Sequence, residues 1–334
     1  MKVLVVTNMY PSAERPHWGA FVRSQVESLT ALGVENTLYE IEGWKSTARY
    51  AHALRELPRL VRQHGAELVH AHYGLSGAAA AAVREVPLVV SFCGDDLLGR
   101  PDAQGHITPK SRWLISVSRL AARRADQVIV KSEEMRKRIP DVTEVEVIPN
   151  GVDLSRFNPI DRDAARTQLG WPQDETVLLF AGPPDEPRKN FPLAREVESR
   201  LKAQGRRVRL VAFHGRPQAD VALAMSAADV LLLPSFHEGS PNVVKEALAM
   251  SLPVVAAPVG DCAERLRGVT PGGVAAREPE AFARAVGQVL AAGTRSNGRE
   301  QIQPLELSAV ARRILALYQR VLARRARASA SHEG

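Results

Sequence analysis

The chain has 334 residues, a length that corresponds to about two domains. Hydrophobic residues make up 45% of it, enough for two cores, and only two cysteines occur, which excludes a disulfide-rich secreted domain. The net charge of +7 leaves nucleic acid, an anionic membrane and phosphorylated substrates open as partners.

Several sequence signals are missing. The first residues run directly into a strand pattern without a signal-peptide layout, and no apolar run reaches about 18 residues. There is no zinc-site spacing and no Walker A sequence. We therefore expect a cytoplasmic protein without a transmembrane helix, a bound metal or a cofactor.

The first half of the chain alternates short apolar runs with helical periodicity. Uninterrupted apolar runs are typical of strands that are buried on both faces of a parallel sheet. We predict strands at 3–7, 34–41, 67–71, 88–92, 127–131 and 144–148, and helices at 20–32, 47–64 (kinked or restarted at Pro58) and 109–125.

Two of the loops in this half carry candidate site residues. Gly19 ends the polar loop after the first strand, where it is either a close-approach position or only a flexible loop end. His70 and His72 would share one face of a strand, but one such pair is weak evidence for a metal. We predict that His72 lies in a cleft near one of the substrates, the acceptor, and that His70 is structural.

A pair of aspartates follows the fourth strand. Asp95 and Asp96 come directly after Cys93-Gly94. Either carboxylate can orient an acceptor hydroxyl, and the alternative is that both form a turn and cap the next segment.

The predicted helix 109–125 is amphipathic. Its arginines fall on one side and larger apolar residues on another: Arg112, Arg119 and Arg123 against Trp113, Val117 and Leu120. The helix is therefore a candidate for docking on an anionic membrane. The alternative is a solvated basic face with Trp113 in the core.

The second half repeats the alternation after a tight turn at 149–153 (PNGVD). We predict strands at 176–181, 207–213, 230–233 and 254–257, and helices at 161–169, 217–228, 241–252, 278–292 and 305–322. His214 lies in the loop after the second of these strands, where it would border a ligand pocket at the carboxyl edge of the sheet.

The loop 235–240 and the helix after it form the strongest candidate site. Ser240 is predicted to cap the helix and Pro241 to be its first residue. Because proline has no N–H, Asn242, Val243 and Val244 supply the free amides of the first turn. These amides and the helix dipole form a site for an anion the size of a phosphate.

Charged residues flank this anion site. Glu246 lies one turn beyond Asn242, and Glu238 lies in the loop, so both carboxylates can accept hydrogen bonds from sugar hydroxyls. Arg188 and Lys189 are two adjacent cations beside a helix start and would add positive charge to such a site. The alternatives are solvated glutamates on an amphipathic helix and a solvated basic turn.

Residues 238–247 (EGSPNVVKEA) resemble the donor-site signature of family 4 retaining glycosyltransferases of the GT-B fold. Lys189 and the turn at 149–153 match the same family. The resemblance implies that Glu246 binds a ribose, that Glu238 lies beside the transferred sugar, and that Gly19 approaches the donor phosphate. It also makes Gly239, Ser240, Asn242 and Val243 substrate-binding positions.

Two positions depart from the family pattern. Cys93 stands where the family commonly has a histidine, which removes that histidine's role. Pro183 stands where the family has an arginine that clamps the diphosphate, and Arg188 is the candidate substitute.

The resemblance implies an α/β protein of the GT-B class, with two Rossmann-like domains that face each other across a cleft. We expect an acceptor domain at 1–153 plus 305–324, with the last helix crossing back to it. A donor domain at 154–304 and a disordered tail at 325–334 complete the division.

The expected function is transfer of a hexosyl group from a nucleotide sugar, with UDP or GDP favoured, to an acceptor hydroxyl with retention and without a metal. Glu238, Asp95 and Lys189 are the candidate catalytic residues. A weaker likeness to bacterial teichuronic-acid and exopolysaccharide transferases favours a cell-surface saccharide or lipid-linked glycan as acceptor. That acceptor would place the protein on the inner face of the cytoplasmic membrane.

Two other functions remain open. The first is a nucleotide-sugar 2-epimerase on the same fold. The second is a non-catalytic module that binds anions or nucleic acid, although aromatics interleaved with basic residues are scarce, and we therefore expect no nucleic-acid partner.

Overall fold

The chain divides into two compact units in the computed structural model, which describes residues 1–102, 106–180 and 182–330. The first unit contains Met1–Gly99, Ile107–Gly151 and the segment that begins at Leu307. The second contains Val152–Glu306 and, apart from 103–105, Arg100–His106. The divisions fall after Gly151 and Glu306, against predicted boundaries after 153 and 304.

A parallel sheet of six strands forms the centre of the described part of the first unit, in the order β2-β1-β3-β4-β5-β6. The strands are β1 (Lys2–Thr7), β2 (Glu35–Glu40), β3 (Leu68–His72), β4 (Leu88–Ser91), β5 (Gln127–Val130) and β6 (Val145–Val147). The helices are α1 (Ala20–Thr30), α2 (Ala48–His64), α3 (Gly74–Ala80), α4 (Asp95–Leu98), α5 (Pro109–Arg124) and α6 (Glu133–Arg136).

The second unit, as far as it is described, has a parallel sheet of five strands in the order β11-β10-β9-β7-β8. They are β7 (Thr176–Phe180), β8 (Val208–Ala212), β9 (Val230–Leu233), β10 (Val254–Ala256) and β11 (Gly273–Val274). The helices are α7 (Arg162–Leu169), α8 (Phe191–Ala203), α9 (Gln218–Ala227), α10 (Asn242–Ala249), α11 (Cys262–Arg265), α12 (Pro279–Ala292) and α13 (Gly298–Gln301). The predicted two-domain α/β class is confirmed. Residue 181, the last residue of the predicted strand 176–181, lies outside the described residues.

Each sheet has a switch point, where successive connections leave towards opposite edges. In the first unit it lies between β1 and β3, and in the second between β7 and β9. The loops after these strand pairs separate there and leave a crevice at the carboxyl edge of the sheet. Among the predicted site residues, those loops carry Gly19, Arg188, Lys189, Glu238, Gly239 and Ser240.

The last helix, α14 (Leu307–Ala330), belongs to the first unit and packs against α1. Its buried residues recur at helical spacing: Val310, Ala311, Ile314, Leu317, Tyr318 and Val321. The prediction of a disordered tail from 325 is wrong for 325–330, which continue the helix. Arg325 fixes this last turn to the first unit, because its guanidinium donates to the Arg84 carbonyl at 2.9 Å. Residues 331–334 lie outside the described residues.

Helix α5 exposes the large apolar residues that one of its two interpretations placed in the core. Its buried face consists of small residues, and Trp113 and Leu120 are 60% and 55% exposed. The reason is the close approach of α3, where a Cβ on Gly74 would lie 1.9 Å from Ser118 Oγ. Only small side chains fit that contact, so the alternative that buried Trp113 in the core is wrong.

Helix α2 runs without interruption through Pro58, so the restart predicted there does not occur. The carbonyl that proline leaves unbonded belongs to Leu54, whose side chain is 45% exposed. Water can satisfy a carbonyl on that side of the helix. None of the helices in the described part of the chain combines the length and the apolar character needed to cross a membrane.

Candidate active site

Three charged side chains meet at the switch point of the second unit. Arg188 and Lys189 come from the loop after β7, and Glu238 comes from the loop after β9. Arg188 Nη1 lies 2.7 Å from Glu238 Oε2, and Lys189 Nζ lies 2.8 Å from Glu238 Oε1. The structure therefore brings these three predicted site residues together; we call them the cation–carboxylate cluster.

Hydrogen bonds to backbone carbonyls fasten the two loops that carry this cluster. Phe236 N donates to the Arg188 carbonyl at 2.9 Å, and Arg188 Nη1 donates to the His237 carbonyl at 3.0 Å. Asn190 adopts a left-handed φ of 56° between the turn Pro187–Lys189 and α8, and its amide donates to the Pro234 carbonyl. Asparagine tolerates that backbone conformation better than most residues.

The charge of Glu238 is stabilised by its neighbours. The side chain is 9% exposed, and burial by itself would raise the pKa of its carboxyl. The positive charges of Lys189 and Arg188 outweigh that effect and lower the pKa to about 2. Glu238 is therefore an anion at neutral pH that holds both cations in place.

Ser240 does not cap α10, contrary to the prediction. Its hydroxyl donates to Asp261 Oδ2 at 2.8 Å and lies 3.0 Å from the Lys245 ammonium. Pro241 takes the cap position, so the helix begins at Asn242. The buried pair Asp261 and Lys245 competes successfully for the hydroxyl, because neither charge can remain buried without partners.

Pro241, at the cap position of α10, provides no side-chain hydrogen bond to the helix end. Asn242 and Val243 form its first turn, and both are half-buried. Gly239 lies against the next loop, since a Cβ on Gly260 would come within 2.4 Å of the Gly239 carbonyl oxygen. This end of α10 supplies backbone dipoles beside the cation–carboxylate cluster.

Glu246 lies one turn along α10 and is half-buried. Burial raises the pKa of its carboxyl to about 7, and the charges of Lys245 and Arg156 lower it only in part. Neither cation comes within ion-pair distance of Glu246 among the described residues. Its carboxylate is accordingly open to hydrogen bonds from a ligand.

Positions 183 and 214 of this unit also carry predictions from the sequence. The chain has Pro183 where the resemblance implied an arginine, and Arg188 lies beside Lys189 on the same carboxylate. Gly182 packs on the Lys189 side chain, where an added Cβ would be 3.2 Å from Cγ. His214 is exposed in the loop after β8, the edge strand next to β7.

In the first unit, Gly19 is a constrained junction. It has a φ of +70°, and an added Cβ would lie 2.3 Å from the Met9 carbonyl oxygen. Only glycine fits both conditions. The alternative of a merely flexible loop end is therefore wrong, although phosphate contact remains a prediction.

The two histidines are both buried, with ring centroids 4.3 Å apart on one face of β3. His70 bonds to Tyr318 Oη at 2.5 Å and to Ser91 Oγ at 2.8 Å, which agrees with a structural role. His72 is 0% exposed and lies 3.4 Å from Gln25 Nε2, with Nδ1 unpartnered among the described residues. The prediction that His72 faces an acceptor needs correction, because β3 and its neighbours enclose it.

Asp96 is a structural residue. It is 0% exposed and accepts hydrogen bonds from three backbone amides: Cys93, Gly94 and Gly74. Burial and the neighbouring Asp95 raise the pKa of Asp96 to about 7. The prediction that it binds an acceptor is wrong for this arrangement, because its oxygens fasten the loop after β4 to the start of α3. Asp95 is half-buried and remains the candidate of the pair.

Sequence reasoning missed one buried cation near these residues. Lys131 follows β5, is 1% exposed, and donates to the Ile148 carbonyl at 3.4 Å, its one hydrogen bond within the described part of the chain. Burial lowers its pKa to about 8, against the charges of Cys93 and Asp96, which raise it. Burial also raises the pKa of the Cys93 thiol, so this residue cannot replace a histidine as a base. The available signal was a lysine directly after a buried strand.

Comparison with known proteins agrees with this geometry. Residues 1–156 match the family model described as Glycosyltransferase Family 4, and residues 163–292 match the model described as Glycosyl transferases group 1. The two matches correspond to the two units of the structure.

Solved structures show the same architecture. Sucrose-phosphate synthase from Thermosynechococcus elongatus superposes with a TM-score of 0.78 at 21% identity, over 97% of this chain and all of that one. HepE of Anabaena, solved with UDP-glucose, has a TM-score of 0.67 at 19% identity and covers 96% of this chain and 99% of its own. At such identities the likeness concerns the fold.

Among curated proteins, the chain is 28% identical to the "Putative teichuronic acid biosynthesis glycosyltransferase TuaC" of Bacillus subtilis strain 168, over 78% of this chain and 82% of the relative. It is 31% identical to the D-inositol 3-phosphate glycosyltransferase of Geodermatophilus obscurus, over 67% of this chain. The chain covers 59% of that second relative's length.

Two parallel α/β units, with cations and a helix terminus at the carboxyl edge of the second, define a protein of the GT-B class. Within that class the chain belongs to glycosyltransferase family 4.

Proposed function

We propose that the protein transfers a hexosyl group from a nucleotide diphosphate sugar to a hydroxyl of a cell-surface saccharide or lipid-linked glycan, with retention of configuration. The observation that carries the proposal is the cation–carboxylate cluster beside the amino end of α10. Two cations and a helix amino end at the same edge of one sheet favour a diphosphate leaving group.

The roles of individual residues follow from their positions. Lys189 and Arg188 stabilise the charge that develops on the leaving diphosphate, together with the amides of Asn242 and Val243. Glu246 accepts hydrogen bonds from the ribose of the donor. Glu238 holds the two cations and borders the transferred sugar.

The remaining candidates contribute at the edges of the site. Gly239 and Ser240 shape the loop beside the diphosphate, and His214 borders the nucleotide. In the first unit, Asp95 orients the acceptor hydroxyl and the tight junction at Gly19 admits a donor phosphate. His72 supports the acceptor side only through the packing of β3.

Bond changes in the proposed reaction balance without a protein-bound intermediate. The bond between the sugar C1 and the diphosphate oxygen breaks, and a bond between C1 and the acceptor oxygen forms on the same face of the ring. The proton of the acceptor hydroxyl passes to the departing diphosphate. Two side-chain cations take the place of a metal in stabilising the leaving group.

A uridine nucleotide is the first choice of donor, with GDP as the second. The neighbouring protein HepE was solved with UDP, with UDP and glucose, and with UDP-glucose. That likeness supports a nucleotide sugar as substrate of this chain, and the sugar itself belongs to the proposal.

Reversible docking on the inner face of the cytoplasmic membrane would fit a lipid-linked acceptor. Helix α5 exposes Trp113 and Leu120 on one side, next to the exposed Arg112 and Arg123. An aromatic and an aliphatic side chain flanked by arginines is the composition of an interfacial helix face.

Incubation with UDP-glucose and GDP-mannose, each with and without a lipid-linked glycan fraction, tests the transfer. We expect nucleotide release that requires the acceptor, and a product whose anomeric configuration by NMR matches the donor. Conversion of the donor sugar without acceptor would instead identify an epimerase. Binding of neither donor in a thermal-shift assay would contradict both activities.

A further inference from the structure

A pocket of 270 Å³ lies at the carboxyl edge of the first unit, apart from the residues assigned above. Strands β1 and β2 run parallel in register and end side by side, with Thr7 opposite Glu40. The loops that follow them form the walls, so we call it the β1–β2 pocket. Its volume is just below the roughly 300–1,000 Å³ of drug-sized ligand sites, which suits a single sugar ring.

Aromatic rings line this pocket. Trp44 is 42% exposed, and the Arg15 guanidinium lies 3.6 Å from its ring centroid. Trp18 is fixed by its indole N–H, which donates to the Asn8 carbonyl at 3.4 Å. A reciprocal turn between Ser12 and Arg15 holds the loop that carries the guanidinium.

The polar groups of the pocket have unused hydrogen-bonding capacity. Glu42 is satisfied by Lys45, to which it is hydrogen-bonded, and by Arg49 at 3.6 Å. The neighbouring Glu40 is half-buried and has no ion pair among the described residues, although Arg15 lines the same cavity. Arg15 likewise has no carboxylate partner in the described part of the chain. Glu40 accepts one hydrogen bond from the backbone of Tyr10, and Lys45 and Arg15 act on it only through their charges. A carboxylate and a guanidinium therefore face one cavity without an ion pair between them.

We propose that the β1–β2 pocket is a saccharide subsite that holds one hexopyranose ring of the acceptor. Such a ring has an apolar C–H face that packs on indole and a rim of hydroxyls that donate to a carboxylate. Trp18 supplies the aromatic surface, and Glu40 accepts from neighbouring hydroxyls. Arg15, which lies over the ring of Trp44, donates to a ring substituent. This assignment rests on the proposed transfer, because only an enzyme that acts on a glycan needs the subsite.

Fluorine NMR of the protein labelled with 5-fluorotryptophan tests the pocket directly. The chain has four tryptophans, so single Trp→Phe variants assign every resonance. Titration with glucose, N-acetylglucosamine and glucuronate should shift the resonances of Trp18 and Trp44. Trp113 on α5 and Trp171 in the second unit are internal controls and should not move.

A matched pair of variants tests the carboxylate. Glu40→Gln should weaken the binding of the sugar that shifts Trp44 by about tenfold or more, because a charged hydrogen-bond acceptor becomes neutral. Glu35→Gln, at the opposite end of the same strand, should leave the affinity unchanged. Equal affinity in both variants would overturn the role of Glu40.

Donor binding is measured separately, by the thermal shift with UDP-glucose. Sugar-induced shifts of Trp18 and Trp44 support the subsite even if UDP-glucose fails to bind, in which case only the proposed transfer is lost. Binding of UDP-glucose with no shift of either tryptophan by any of the three sugars would overturn the subsite.

Discussion

At the scale of single residues, the two glutamates of the donor loop have opposite ionisation properties. Glu238 has two cations within 2.8 Å and a pKa lowered to about 2. Glu246 has only more distant positive charges, and burial raises its pKa to about 7. Near neutral pH, therefore, Glu246 titrates while Glu238 stays charged.

Affinity for UDP-glucose should consequently depend on pH. If ribose hydroxyls donate to the ionised Glu246, binding is strongest above pH 7 and weakens as the carboxylate takes up a proton. The loss should approach about tenfold for each pH unit below 7. Calorimetry from pH 5.5 to 8.5 measures it, and the diphosphate of UDP-glucose has no group that titrates in this range.

Glu246→Gln is the matched control for this prediction. It should weaken binding at pH 8 by about 1.5–3 kcal/mol, the value of a charged hydrogen bond, and remove the pH dependence around 7. An unchanged affinity in the variant would show that Glu246 does not touch the nucleotide.

The cations of the cluster should not be equivalent. Lys189→Glu should abolish donor binding, whereas Arg188→Ala should weaken it less, if Arg188 only partly replaces the arginine absent at position 183. Lys189→Met retains the aliphatic packing on Gly182 and separates loss of charge from misfolding. Surface plasmon resonance with immobilised protein measures the affinities; negligible effects of all three changes would show that neither residue contacts the diphosphate.

The adjacent aspartates of the first unit should differ in their effects. Asp96→Ala removes the acceptor of three buried amides and should cost about 2–4 kcal/mol of unfolding free energy. Asp95→Asn should leave stability within about 0.5 kcal/mol and reduce the transfer rate. Urea denaturation and an acceptor-dependent assay measure both, and a stable Asp96→Ala protein would contradict the structural role.

Sequence patterns predicted which residues gather at the site better than what each of them does. The sequence placed Glu238 in the loop before one helix and Glu246 one turn into it, because helical geometry fixes the position of Glu246 relative to Asn242. The role of Ser240 could not be predicted, because its partner Asp261 comes from a different loop. His72 and Asp96 were misjudged for the same reason: burial depends on neighbouring strands, which the local sequence does not specify.

At the scale of elements, apolar runs predicted the strands well and failed at a helix face. Val230–Leu233 forms β9 as predicted, because four consecutive apolar residues fit a strand covered on both sides. Periodicity left two orientations of α5 open, and the one that buried Trp113 is wrong because periodicity counts large apolar residues as buried. The contact of Gly74 with Ser118 selects the small-residue face instead.

Helix α5 should bind anionic vesicles weakly and in a salt-dependent way. Each basic residue near such a surface contributes about 1 kcal/mol, and exposed Trp113 adds an interfacial anchor. Because Arg123 already pairs with Asp141 at 2.9 Å, its contribution to the free energy of vesicle binding is smaller. Sedimentation with phosphatidylserine vesicles at low and high salt measures the binding.

Two variants separate the contributions to docking. Trp113→Ala should reduce co-sedimentation at both salt concentrations, whereas the combined change of Arg112, Arg119 and Arg123 to glutamate should abolish it. If the triple variant sediments as well as the parent protein, α5 is not the docking face.

At the scale of the whole molecule, each unit has its own core and its own set of candidate site residues. The cation–carboxylate cluster lies entirely within the second unit, and the β1–β2 pocket within the first. Changes in the core of one unit should therefore affect its stability without altering ligand contacts in the other.

Tyr318→Phe tests this independence. It removes the partner of His70 Nδ1, a fully buried nitrogen, and should cost about 1–3 kcal/mol of unfolding free energy. UDP-glucose affinity should not change. Tyr39→Phe is the control, because its hydroxyl makes no hydrogen bond to a described residue; lost donor affinity at unchanged stability would contradict the prediction.

The bond between Tyr318 and His70 also has a consequence for synthesis on the ribosome. The first unit contains α14, yet the second unit is translated between Gly151 and Leu307. At about 5–20 residues per second, translation of the second unit takes roughly ten to thirty seconds, and the strands of the first unit lack α14 during that time. During this interval the surface that later receives Ile314 and Leu317 is exposed, so we expect the nascent chain to be a chaperone client until α14 emerges.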